Sequence, residues 1–168
     1  MTTLRLKLLA CLILTTASVT LVTQIQAAPP SPGDYIFDIA KKTPKLMTAW
    51  KRIVPRQFAN VKAYMKDGTT VNWLDSVNEA TSSPVDKVLL SGKRFILGQA
   101  CWPHNCGGNH VVFLIAIDGS EAYGLLSSET LKVPEQYFGD PKGEMSQLLK
   151  AKMKDTLDEF DEYFKYYK

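Results

Sequence analysis

Cys101 and Cys106 bracket Trp102-Pro103-His104-Asn105, and Gly107-Gly108 follows at once. Four kinds of chemistry use such residues. Zinc takes thiolate and imidazole ligands, and Cys101, His104 and Cys106, with His110 beyond them, supply the types. The spacing is poor, because four ligands within ten residues would have to wrap very tightly. A thiol–disulfide exchange site usually places two residues between its cysteines, with the first at a helix start; here there are four. A cysteine nucleophile beside His104 needs a thiolate, which a disulfide removes. The fourth reading is a stapled loop. Closing so small a ring stabilises the fold by only about 2 kcal/mol in the chain-entropy description. The larger effect is local, since the bond and Pro103 together remove most loop conformations. His104 is then left near the apex, and Gly107-Gly108 lets the chain bend back without side-chain clashes. A rigid, exposed tip loses little entropy on docking, so more of its contact energy becomes affinity. From these residues alone, a docking finger and an idle stapled turn stand level.

The chain start bears on which chemistry is available. Arg5 and Lys7 precede an uncharged apolar run from Leu8 to Val22, and Gln24-Ile25-Gln26-Ala27-Ala28 supplies a small-residue end. This pattern predicts a secretory signal peptide over residues 1–27 and a mature chain over 28–168. The apolar run is short for a retained anchor, which needs about 20 residues. Cys11 lies at the start of the run, not after it, and reads as one more apolar residue of the leader. Export would carry Cys101 and Cys106 into an oxidising compartment, where a close pair forms a disulfide.

The mature length suits a single domain with a real core. The full chain carries a formal charge of +3, and loss of Arg5 and Lys7 with the leader leaves +1. Lys41, Lys42, Lys45, Lys51, Arg52, Arg56, Lys62 and Lys66 fall in one stretch without an acid, whereas Asp155, Asp158, Glu159, Asp161 and Glu162 cluster near the end. A surface for an anionic polymer is one reading of the basic run. The favoured one is the solvated face of a helix, for which the acidic tail is one candidate neighbour. Nucleic acid is not an expected partner, nor is a membrane once the leader is gone.

The elements that must hold the loop are legible in outline. Asp34 is placed to cap a short helix from Tyr35 to Lys42, and Thr43-Pro44 to restart it. Leu46, Met47, Trp50, Ile53 and Val54 recur at helical spacing, which makes Trp50 a core residue. Asp67-Gly68 marks a turn, and Asp75 to Pro84 reads as a polar loop. Val85 to Leu90 and Lys93 to Ala100 flank Ser91-Gly92, a hairpin signal. Val111 to Ile117 and Ala122 to Leu126 follow as strands, joined through Asp118-Gly119-Ser120-Glu121, with Glu135 to Phe138 as another. A long helix over about Lys142 to Tyr166 carries Met145, Leu148, Leu149, Met153, Leu157, Phe160, Phe164 and Tyr167 on one stripe. The predicted class is α+β, an antiparallel β-sheet with helices packed on it. The cysteine segment joins two adjacent strands at a sheet end, a place suited to a protruding recognition loop.

"ACWPHNCG", with "DGSEAYGLLSSE" after the next strand, resembles the periplasmic inhibitors of vertebrate lysozyme, the Ivy family, whose loop typically reads Cys-Lys-Pro-His-Asp-Cys. "SPVDKVLLSGKRFILGQA" resembles the family's strand pair leading into the loop, "DYIFDIAKKTPKLMTAWKRIV" its opening helices and "QYFGDPKGEMSQLLKAKM" its closing strand, turn and helix. The likeness covers most of Asp34 to Met153 and is strongest from Pro84 to Glu129. Asn72 to Ser82 looks like an insertion, and the acidic, aromatic tail like an extension. The resemblance implies a periplasmic protein that is not an enzyme and needs no metal or cofactor. Its partner would be a C-type lysozyme or related muramidase. His104 would reach the two catalytic carboxyl groups, with Trp102, Pro103 and Asn105 completing the target-binding loop and Cys101–Cys106 as its staple. A retaining glycosidase holds those carboxyl groups about 5–5.5 Å apart. An imidazole can donate to one and accept from a protonated other. Trp102 stands where the family has lysine and Asn105 where it has aspartate. Trp102 can anchor on a sugar platform or pack on its own protein's surface. Homodimer formation stays open. So do two alternatives: a periplasmic metal or redox protein, and a family member that keeps the scaffold without binding lysozyme.

Overall fold

The computed structural model describes residues 33–166. The expected leader, Tyr167 and the side chain of Phe164 lie outside the described residues. The elements in order are helices α1 (Ile36–Lys42) and α2 (Lys45–Ile53), strands β1 (Lys62–Tyr64), β2 (Thr70–Asn72), β3 (Thr81–Ser82), β4 (Asp86–Leu90) and β5 (Lys93–Cys101), a short 3-10 turn (Cys106–Gly108), β6 (Asn109–Ala116), β7 (Ala122–Ser128), β8 (Val133–Phe138) and α3 (Glu144–Tyr166). β1 and β2 form a small hairpin. The main antiparallel sheet runs β3-β5-β6-β7-β8, with β4 also paired to β5. This is the α+β class expected.

Strand β6 shows why helices cover both faces. All its residues are buried. Val111, Phe113 and Ile115 point to one side, where they join Leu46, Ala49 and Trp50 of α2 and Ile36 and Ile39 of α1. Val112, Leu114 and Ala116 point to the other, against Leu149 and Met153 of α3. Alternation along a strand sends neighbours to opposite faces, so a strand apolar at every position must be covered twice. Trp50 is fully buried between Phe113 and Phe138, with its indole N–H donating to the Leu74 carbonyl at 2.6 Å. Gly124 makes room for it, since a Cβ there would lie 2.7 Å from the indole ring. Truncating a residue so placed costs about 3–5 kcal/mol.

Several local expectations change. Asp34 stands one residue before the N-cap position of α1, which Tyr35 occupies with extended backbone and no side-chain hydrogen bond. The reason is a bridge between Tyr35 and Pro84, with the Asp34 carbonyl accepting from the Val85 N–H at 2.9 Å. Pro44 has helical angles just before α2, and Thr43 contributes its carbonyl rather than its hydroxyl. Asp75 to Pro84 is not simply a polar loop: Val77 is wholly buried, as are Trp73 and Leu74 just before it, and Thr81-Ser82 pairs with the end of β5. The Ser91-Gly92 turn has positive φ at both residues, 48° and 78°, as a tight two-residue hairpin requires. The basic stretch does not face the acidic tail, because α2 and α3 cover opposite faces of the sheet. Lys41, Lys42, Lys45, Lys51 and Arg52 are exposed, as expected of a solvated helix face.

Candidate functional site

The two central strands carry the loop. β5 and β6 pair from Phe95–Ala116 up to Cys101–His110, and the segment between them protrudes at that end. Cys101 and Cys106 are disulfide-bonded, with Cα atoms 5.0 Å apart. Inside the ring, the Asn105 N–H donates to the Trp102 carbonyl at 2.9 Å. Pro103 stands second in this four-residue turn, and His104 stands third with φ +61°. Proline second, positive φ third and a closing hydrogen bond are the marks of a type II β-turn. Glycine is the usual third residue, because a side chain there costs about 1 kcal/mol or more. His104 occupies the position all the same, and it is exposed.

The turn is held from below by contacts that the motif does not reveal. Trp102 is half-buried, with its ring 5.7 Å from that of Trp73. Pro103 is buried. Of the four loop residues, His104 and Asn105 therefore face solvent, while Trp102 and Pro103 form the footing. The Asn105 amide donates to the Thr130 hydroxyl at 3.3 Å. Asn109, almost wholly buried, ties the ring to the next hairpin. Its Nδ2 donates to the Asn105 carbonyl at 3.1 Å, and its Oδ1 accepts from the Ser128 hydroxyl at 2.6 Å and the Thr130 N–H at 3.2 Å. A further bond runs from the Glu129 N–H to the Gly108 carbonyl at 2.8 Å. Gly108 lets the Glu129 side chain lie close, since a Cβ would sit 2.6 Å from its carboxyl group and make that exposed side chain swing away. The Asn109 clamp went unseen in sequence; an asparagine opening an apolar strand directly after Gly-Gly was the available signal.

His110 lies beneath the loop and points the other way. It is fully buried against Phe160, ring centroids 4.7 Å apart, and its ring nitrogens meet no well-aligned hydrogen-bond partner, only a weak contact with the Cys106 backbone. Burial lowers its pKa below the ordinary imidazole value, and the Cys106 backbone offsets this in part. The zinc reading fails on this geometry. Both sulfurs are bonded to each other, His104 is outside and His110 inside. Among the described residues no group of three His, Cys, Asp or Glu is arranged to hold a metal ion. The other dense cluster of charge is at the opposite end of β5, where Glu121 accepts from Lys93 and from the Tyr123 hydroxyl. The Glu121 hydrogen bond, aided by burial, pushes the Tyr123 pKa up to about 12. Those groups brace the β6–β7 hairpin, far from the loop along the sheet.

No described helix is long and apolar enough to cross a membrane. The loop architecture can be set beside known proteins. A similar protein is the inhibitor of vertebrate lysozyme from Pseudomonas aeruginosa, 33% identical over 79 residues, covering 40% of this chain and 52% of that protein. The chain thus spans about half the length of this curated relative. The family model for inhibitors of vertebrate lysozyme matches residues 45–161, most of the described fold and all of the stapled turn. The chain belongs to the inhibitor of vertebrate lysozyme (Ivy) family, a family of protein inhibitors and not of enzymes.

Proposed function

We propose that this protein is exported to the periplasm, its leader at residues 1–27 removed, and that the single domain over residues 28–168 occludes the active-site cleft of a C-type lysozyme. The observation that carries the reading is the stapled type II turn with an exposed imidazole at its third position. His104 enters between the two catalytic carboxyl groups and hydrogen-bonds to both. Donation to a carboxylate is a charge-assisted bond, roughly twice as strong as a neutral one. Glycan is excluded by occupancy, and no bond is made or broken.

The footing gives Trp102 a role different from a target anchor. Its contact with Trp73 orients the turn from within, and the direct contacts fall to His104 and Asn105. The disulfide, Pro103 and the Asn109 clamp fix the tip before the partner arrives, which limits the entropy lost on docking. A buried polar anchor at the centre of such an interface carries 2 kcal/mol or more, about 30-fold in affinity. His104→Ala is therefore expected to raise the inhibition constant against a C-type lysozyme by about 30-fold or more, with an unchanged thermal melt. An unchanged constant in a folded variant removes the plug mechanism. Lack of inhibition by the unaltered protein, across several purified muramidases, identifies a family member that keeps only the scaffold.

A further inference from the structure

A second site lies under the end of α3, on the face of the sheet away from α2. Ser83, Gln99 and, from α3, Glu159, Phe160, Glu162 and Tyr163 line a cleft of about 480 Å³. That volume suits a small organic molecule. Gln99 on β5 forms its floor and is 6% exposed. Its Nε2 donates to the Ser83 hydroxyl at 2.8 Å, while its Oε1 has no partner among the described residues. A carboxamide so tethered by its nitrogen leaves an acceptor just under the cleft floor that asks for a donor. His110, one diagonal position away on β6 and on the same face, is another buried polar side chain here, with only a weak contact to the Cys106 backbone. Phe160 lies over it.

We propose that this cleft binds a small organic ammonium ion: a primary amine on a short hydrocarbon chain. Three features select that chemistry. The ammonium N–H satisfies Gln99 Oε1, which lies covered just under the floor and is reached when the side chains over it shift. The rings of Phe160 and Tyr163 give the hydrocarbon an apolar wall and the cation a π face. The carboxylates of Glu159 and Glu162 make the mouth negative. An anion of the same length meets repulsion at the mouth and an acceptor at the floor. A neutral hydrocarbon leaves that acceptor unpaired. This site is separate from His104, and no lysozyme enters its test, so it stands or falls independently of the inhibitor reading.

The test titrates the isotope-labelled protein, disulfide intact, with cadaverine and, as a length-matched anion, pentanoate. NMR follows the Gln99 side-chain amide and the His110 ring. Cadaverine should shift both saturably, with pentanoate at least 10-fold weaker. Gln99→Leu should weaken cadaverine binding at least 10-fold. So should the double substitution Glu159→Gln and Glu162→Gln, which alters only exposed groups and keeps the question open to test if Gln99→Leu fails to fold. Signals that stay still at tens of millimolar cadaverine overturn the proposal. So does equal binding of pentanoate, or undiminished binding by the folded variants.

Discussion

The stapled turn and the end of α3 rest on neighbouring parts of the same two strands, yet they treat polar groups in opposite ways. Above the Cys101–His110 pair, the buried amide of Asn109 serves the Asn105 carbonyl, the Ser128 hydroxyl and the Thr130 N–H. Below it, Gln99 Oε1 is buried without a partner among the described residues, and the His110 ring has only a weak contact with the Cys106 backbone. A buried polar group left unpaired costs about 1–3 kcal/mol. The upper region is therefore stiff, because a shift of the turn pulls on a nearly wholly buried amide and its bonds to both hairpins. The lower region is under-satisfied, because an opening of α3 there would let water reach groups that lack partners. The same sheet end thus combines a fixed tip with a yielding underside, and substitutions can separate the two.

The largest effect is expected from Asn109→Ala. It strips one buried amide from three partners and leaves the buried Ser128 hydroxyl without an acceptor for its proton, although that oxygen still accepts from the Leu131 N–H, a loss of about 2–3 kcal/mol by denaturant unfolding. Inhibition should fall as well, although residue 109 is buried and touches no partner. A destabilised variant with full inhibitory potency breaks the link between the clamp and the tip.

Reduction of Cys101–Cys106 comes next. The ring is small, so stability should fall by only about 2 kcal/mol. The loop hydrogen bonds remain, but the tip samples more conformations, and affinity for lysozyme should fall further than stability does. Equal potency of reduced and oxidised protein removes the preorganisation account.

The underside is tested by pH. Burial depresses the His110 pKa in the folded state, so the unfolded chain binds its proton first as pH falls. Stability from this group is present above the unfolded value, near 6.5, and is lost below it. The slope is at most about 1.4 kcal/mol per pH unit. Unfolding between pH 7.5 and 5.5 should show this loss, and His110→Leu should flatten it. Glu159 and Glu162 flank Phe160 on α3 and remain in that variant, so it isolates the imidazole. An identical slope in both proteins shows that the underside does not titrate through His110.

These contrasts also show which parts of the molecule a single sequence exposes. The staple was legible because cysteine, proline, histidine and paired glycines each have few roles at such spacing. The central strands were legible because the unbroken apolar run from Val111 to Ile117 marks a buried strand, although β6 begins earlier, at Asn109. Trp102 was ambiguous because its partner, Trp73, is distant in the chain and lies in Asn72 to Ser82, the segment that looks like an insertion. Strand β3 has two residues and exists only through its pairing with β5. Asp34 has the right chemistry for a cap, but the bridge of Tyr35 to Pro84 sets the backbone instead. Local signals lose wherever a long-range contact decides the geometry.

The smallest predicted effect is the most discriminating for the tip. His104 sits at φ +61°, a conformation glycine adopts freely and histidine does not. His104→Gly should therefore leave stability unchanged or raise it, by up to about 1 kcal/mol, after the greater freedom of glycine in the unfolded chain is set against the relief. His104→Ala keeps a Cβ in the same strained position and gains nothing. Both variants lack the imidazole, so both should inhibit poorly. A side chain held where it destabilises its own fold, and whose removal abolishes binding, has been placed by the turn for contact with something else. If His104→Gly destabilises the protein instead, the imidazole supports the turn from within, and the exposed tip loses its claim to be a finger.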